Sequence, residues 1–166
     1  MAELTTRERL QPSLLDRLTD DDPQSRMESR DRRIMSMRQL RSAVLRDLAW
    51  LLNSGCRPEG DEIYDYPRVA SSVLNYGLPD LAGTTESSGK AARLDQAVYD
   101  AVLAFEPRIV RSSLEVRATR TTDDGMNNRV QFEILGELCP LPMPEALFVR
   151  TEVDLETGHC ELRERG

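Results

Sequence analysis

Imidazole, indole and primary amine are nearly missing from this chain. In 166 residues there is one histidine (His159), one tryptophan and, among 22 basic residues, one lysine (Lys90). Three cysteines, Cys56, Cys139 and Cys160, lie far apart and form no CxxC pair. That is too little Cys and His for a zinc site built from them, so no metal or cofactor is expected. An odd number of scattered cysteines fits a reducing compartment. No run of 18 apolar residues exists, and Met1–Arg7 lacks the apolar stretch of a secretory signal. The expectation is a cytoplasmic protein without direct membrane insertion. A nucleophile needs a base to activate it. The only imidazole, His159, falls in a turn beside Cys160, whereas a working Cys–His pair is assembled from distant segments. A glycosidase needs two carboxyls held at a set distance around a cleft, and no spacing singles out such a pair. No catalytic residue is assigned.

What is present is acid and aliphatic. The net charge is −7, which argues against general affinity for nucleic acid. The apolar fraction is 39% and the aromatic fraction 5%, so a core must be mostly Leu, Val, Ile and Ala. The length fits one domain with a flexible end: residues 1–30 as a flexible N-terminal segment carrying a short docking helix, and 31–166 as a single α+β domain.

Ser13–Leu18 reads as a turn or two of helix, capped by Ser13 with Asp16 three residues on. Its apolar face is only Leu14, Leu15 and Leu18, so it must dock on the domain or on a partner. Helical spacing is strongest between Arg26 and Asn53, through Ile34, Met37, Arg41, Val44, Leu45, Leu48, Leu51 and Leu52, with Gly55 suited to a left-handed cap. Seven arginines between Arg26 and Arg46 are mixed with Glu28 and Asp31, followed by Asp47. This is the pattern of a solvated or protein-facing surface. A short helix is expected over Arg68–Tyr76, with Val69, Val73, Leu74 and Tyr76 on one side, stopped by Gly77 and Pro79. The stretch Gly83–Lys90 imitates a phosphate loop. It has one residue too many before Gly89-Lys90, and Ala91 stands where the metal-binding hydroxyl belongs. Ala92–Phe105 is the second strong helix.

Past residue 111 the apolar period changes from three or four to two. Leu114, Val116 and Ala118 alternate with polar residues. Asp123-Asp124-Gly125 turns the chain, and Val130, Phe132 and Ile134 face one way on the return. Cys139–Pro144 is an extended connector. Leu147–Leu155 and Cys160–Leu162 supply two more strands. The expected fold is α+β, with N-terminal helices packed on a C-terminal antiparallel β-meander.

At the change of period stand Phe105-Glu106-Pro107-Arg108. Pro107 has no N–H and pushes Glu106 out of the helical region, so the helix is stopped by its own sequence. The stop leaves a carboxylate and a planar guanidinium on either side of a rigid bend. On local chemistry this is a helix stop with two solvated charges.

Four stretches give these residues a further meaning: Pro12–Asp20, Val44–Asn53, Ser71–Asp80 and Phe105–Arg108. In this order they resemble TssE, the small baseplate subunit family of bacterial type VI secretion systems, itself similar to the gp25-like small wedge protein of contractile phage baseplates. The resemblance runs nearly end to end, and Glu-Pro-Arg is the hallmark of the family. It implies a structural protein, not an enzyme, in each wedge of a cytoplasmic baseplate beneath the inner membrane. The implied partners are TssF and TssG, with TssK, the VgrG hub and the TssB/TssC sheath. It implies partner contacts through Glu106, Pro107 and Arg108. Leu14, Leu15 and Leu18 are a further candidate contact, and a free edge of the meander is a template for a sheath strand. The alternatives are a lysozyme-like peptidoglycan hydrolase, which no acid pair or cleft in the sequence supports, and an adaptor sharing only the fold.

Overall fold

The computed structural model describes residues 12–19, 24, 35–58, 60–80, 94–120, 129–138, 145–154 and 157–164. The stretch imitating a phosphate loop, the Asp123–Gly125 turn and the Cys139–Pro144 connector lie outside the described residues.

Helix α1 (Leu14–Leu18) is capped as its sequence requires, Ser13 Oγ accepting from the Asp16 N–H at 3.4 Å. Helix α2 (Met37–Leu52) starts with a full capping box. Ser36 Oγ accepts from the Gln39 N–H at 3.3 Å, and Gln39 Oε1 accepts from the Ser36 N–H at 2.8 Å. Met35 and Ser36 are therefore not helical, and no continuous helix runs from Arg26. The buried stripe of α2 is Leu40, Ala43, Val44, Leu48, Leu51 and Leu52. Arg41, expected in that stripe, instead sends a guanidinium N–H to the Ala146 carbonyl at 2.6 Å.

Asn53 ends α2 and ties it to the end of the chain. Its Nδ2 donates to the carbonyls of Ala49 (2.8 Å) and Cys160 (2.9 Å), while its Oδ1 accepts from the Cys160 N–H at 3.0 Å. Gly55 does not take the expected left-handed conformation. It forms a parallel bridge with Leu78.

The helix expected over Arg68–Tyr76 is broken. Helix α3 is only Pro67–Ala70, between 3-10 turns at Glu62–Asp65 and Val73–Asn75. Side chains compete with the helical ladder here. Ser72 Oγ accepts from the Leu74 N–H, and Asn75 Nδ2 donates to the Ala70 carbonyl. As a result Val73 and Leu74 face solvent, 77% and 70% exposed, against the one-sided burial the spacing suggests. Gly77, at φ +120°, closes the excursion: a Cβ there would stand 2.2 Å from the Ser54 carbonyl oxygen.

Helix α4 (Leu94–Phe105) buries Leu94, Val98, Ala101 and Val102. It stops where Pro107 dictates. The Glu106 N–H makes the last helical bond, to Val102. The chain then bends past Ile109, which bridges to Leu138.

Strands β1 (Glu115–Arg120), β2 (Arg129–Leu138), β3 (Glu145–Asp154) and β4 (Cys160–Glu164) pair antiparallel in the order β1-β2-β3-β4. The meander is as the sequence implies, although Ala118, expected inward, is exposed. One face of the sheet carries Val130, Phe132, Ile134, Leu138, Leu147, Val149, Val153 and Cys160, all buried. Helix α4 packs beside β1 and α2 beside β4, covering that face. The fold is α+β. Gly136 on β2 is where the bend comes closest: an added Cβ would lie 2.8 Å from Ile109 Cγ2.

Candidate functional site

Glu106 is the most deeply buried acid of the described residues, its side chain 3% exposed. The reading of two solvated charges therefore fails. The carboxylate is held by its neighbour across the proline. Arg108 Nε donates to Glu106 Oε1 at 2.6 Å, Nη2 to Oε2 at 2.5 Å, and the Arg108 backbone N–H to Oε1 at 3.2 Å. This is the bidentate fork that the planar guanidinium permits. Pro107 is exposed and contributes the rigid turn that faces the two side chains together.

Arg108 Nη2 also reaches Asp47 Oδ2 on α2, at 2.6 Å. Asp47 Oδ1 in turn meets Arg46, which reaches Asp16 Oδ1 on α1 at 2.7 Å. The result is an alternating ladder of charge: Asp16, Arg46, Asp47, Arg108, Glu106. It runs from the N-terminal helix across α2 to the bend. Tyr76 closes one side, its hydroxyl donating to the Asp47 carbonyl at 3.4 Å and its ring standing edge-on to Phe105, with centroids 5.1 Å apart. On the outer side the Arg46 guanidinium lies 5.2 Å from the centroid of the Trp50 ring, a cation–π distance.

The ladder perturbs its members in the directions its geometry implies. Burial works to lower the Arg108 pKa, but the bonds and charges of Glu106 and Asp47 outweigh it and raise the net value. Arg46 is raised in the same way, burial opposed by Asp16 and Asp47. Burial works to raise Asp16, yet Ser13 and Arg46 together hold it below the usual carboxylate value. Tyr76 is raised, first by burial and then by the charges of Asp47 and Glu106. Two guanidinium nitrogens of the ladder are buried without a hydrogen bond among the described residues: Arg108 Nη1, and Arg46 Nη2, which still lies 2.8 Å from Asp47 Oδ1 as an ion pair.

Of the candidate contact residues, Glu106 and Arg108 are brought together, and α1 is tied to the same ladder through Asp16. Leu14, Leu15 and Leu18 are not buried on the domain. Leu14 and Leu18 are each 73% exposed. Sequence reasoning missed Asp16, Arg46, Asp47 and Tyr76 as site residues. The available signal was their place in the four stretches carrying the resemblance. Those stretches supply Asp16, then Arg46 and Asp47, then Tyr76, then Glu106 and Arg108, and the fold gathers all of them in one cluster.

Comparison with known families agrees. The sequence pattern of a family described as baseplate wedge protein gp25 matches residues 38–139, more than half of the chain. The chain belongs to the gp25 baseplate wedge family. No curated protein and no solved structure matched it. The gp25 match covers α2 from its second residue, α4, the bend and β1–β2. Ladder members Arg46, Asp47, Glu106 and Arg108 lie inside it, and Asp16 precedes it. Membership in the gp25 family makes this a structural, phage-baseplate-like component that meets other baseplate proteins. Among the described residues no helix is long and apolar enough to cross a membrane.

Proposed function

We propose that this chain is a non-enzymatic subunit of a type VI secretion baseplate that binds the TssF–TssG wedge core through the Glu106–Arg108 bend and helps to start the contractile sheath. The observation that carries this reading is the convergence of four distant stretches on one charge cluster around a proline-rigid bend. A contact residue placed before its partner arrives lowers the ordering cost of binding. TssK, the VgrG hub and the TssB/TssC sheath are the remaining expected neighbours, at a cytoplasmic baseplate beneath the inner membrane.

Two further surfaces support the reading. The exposed Leu14, Leu15 and Leu18 suit docking on an apolar groove. In the described sheet β1 and β4 are the edges, so either offers unpaired backbone groups to a sheath strand. A cell-wall hydrolase would need a free acid pair. Here Glu106, Asp47 and Asp16 are each engaged by an arginine.

Co-expression with TssF and TssG tests the proposal, with wild type beside Glu106→Ala and Arg108→Ala and folding followed by circular dichroism. Wild type is expected to co-purify and the folded variants to be depleted. Equal recovery of all three would remove the bend from the interface. Release of soluble fragments from sacculi by the purified chain, abolished by changing one acid, would favour the hydrolase.

A further inference from the structure

Residues 56–78 form an excursion that joins the core only at its end, through Tyr76 and Leu78, and is otherwise held by its own bonds. Its base is pinched by paired bonds, Cys56 N–H to the Leu78 carbonyl and Leu78 N–H to the Ser54 carbonyl, each 2.8 Å. Asn75 braces the interior. Its Oδ1 accepts from the Arg57 N–H at 2.9 Å and its Nδ2 donates to Ala70 at 3.0 Å. The Tyr64 hydroxyl donates to the Arg57 carbonyl at 2.8 Å. Yet the helical turns it contains, Glu62–Asp65, Pro67–Ala70 and Val73–Asn75, bury no residue.

An excursion so firmly tied has no folding reason to expose its apolar side chains. Tyr66 is 63% exposed, and Val73 and Leu74 more so. Exposed apolar groups on a braced backbone mark an interaction surface. Chemistry restricts the occupant. Glu62 and Asp65 are exposed beside the two tyrosines, and although Arg57 and Arg68 are exposed on either side, the stretch 57–68 is acidic, with four acids to two arginines. Position restricts it further. Two residues after Leu74, Tyr76 meets Phe105 edge-on and bonds the Asp47 carbonyl, so the apolar pair adjoins the charge ladder along the chain.

We infer that Glu62, Tyr64, Asp65, Tyr66, Val73 and Leu74 form a docking surface for an amphipathic segment of the wedge core. The apolar side chains of that segment cover Val73 and Leu74, and its arginine or lysine side chains meet Glu62 and Asp65. Tyrosine faces beside carboxylates suit a cation, which the ring and the acid attract together. This inference rests on the wedge reading and extends the contact surface beyond the bend.

The test measures binding of the full chain to a purified TssF–TssG complex by titration calorimetry, with thermal melting as the fold control. The variants are Val73→Ser/Leu74→Ser, Glu62→Lys/Asp65→Lys and Glu106→Ala. Both surface variants are expected to melt like wild type and to bind at least tenfold more weakly, the charge-reversed one losing less at high salt. Wild-type affinity in both overturns the inference while leaving the wedge reading intact. Weak binding by the surface variants with full binding by Glu106→Ala supports the inference and removes the bend. A wild-type chain that does not bind overturns the wedge reading and this surface with it. Self-association of wild type that the serine variant abolishes reassigns the surface to a second copy of the chain and overturns the inference.

Discussion

Glu106 shows how burial changes the meaning of a charge. A solvated pair contributes about 0–1 kcal/mol, whereas removing one partner of a buried pair costs about 3–5 kcal/mol. Arg108 keeps Asp47 and is partly exposed, so Glu106→Ala is expected to cost about 3 kcal/mol, the lower end of that range, in urea unfolding. Glu106→Gln should cost less, because it keeps the shape and one acceptor. Any assembly defect of the alanine variant must therefore be separated from lost stability, and the glutamine variant makes the separation possible. Thr151 is the opposite case. Its hydroxyl is buried among apolar side chains with no partner among the described residues. Thr151→Val keeps the shape and removes that unpaired group, so it should raise stability by up to about 1 kcal/mol, read from the same unfolding curves. Cys160 is equally enclosed, and burial pushes its thiol up to about 11. It should resist thiol reagents in the native protein and react only on unfolding, whereas the half-buried Cys56 should react before it.

Among the elements, α1 is held by charge and not by burial, since it has no buried residue and its tie to α2 is Asp16 to Arg46. The Asp16 pKa is depressed in the folded chain, so the docking it supports is present above its unfolded pKa and lost as pH falls through the folded one. Trp50, the single tryptophan, lies under Arg46 and reports this directly. Its fluorescence should change as pH falls below the ordinary carboxylate range, and Asp16→Asn should show the released signal throughout. The 56–78 excursion depends on its own joint. Gly77→Ala would bring a Cβ against the Ser54 carbonyl at a φ that side chains avoid. A loss of more than about 2 kcal/mol is expected by thermal melting, as for other incompatible backbone sites. The sequence made some elements plain and hid others. The stop at Phe105 and the four strands were legible because proline and a period of two act locally. The start of α2 and the breakup of residues 68–76 were not, because Ser36, Ser72 and Asn75 act through particular hydrogen bonds that periodicity does not register. Asp47 was hidden for a different reason: its partner Arg108 is 61 residues away, and no local pattern announces that pairing.

Across the whole molecule, the helices and the sheet bury one face against each other and leave the contact chemistry on the outside. The ladder joins α1, α2 and the bend that links α4 to the sheet, so surfaces that are distant in sequence rest on one set of charges. The Asn53 side chain makes a different kind of join. Through it the end of the first long helix is bonded to the backbone of Cys160, 107 residues later. During synthesis a chain folds from its N-terminal end as it emerges, but this bond has no partner until the fourth strand has been made. Helix α2 can form early and Arg41 can reach β3, yet the Asn53 end of the helix is not bonded to the sheet until β4 arrives. Contacts that span so much of the chain are slow to close. The join between the end of α2 and β4 is therefore completed late.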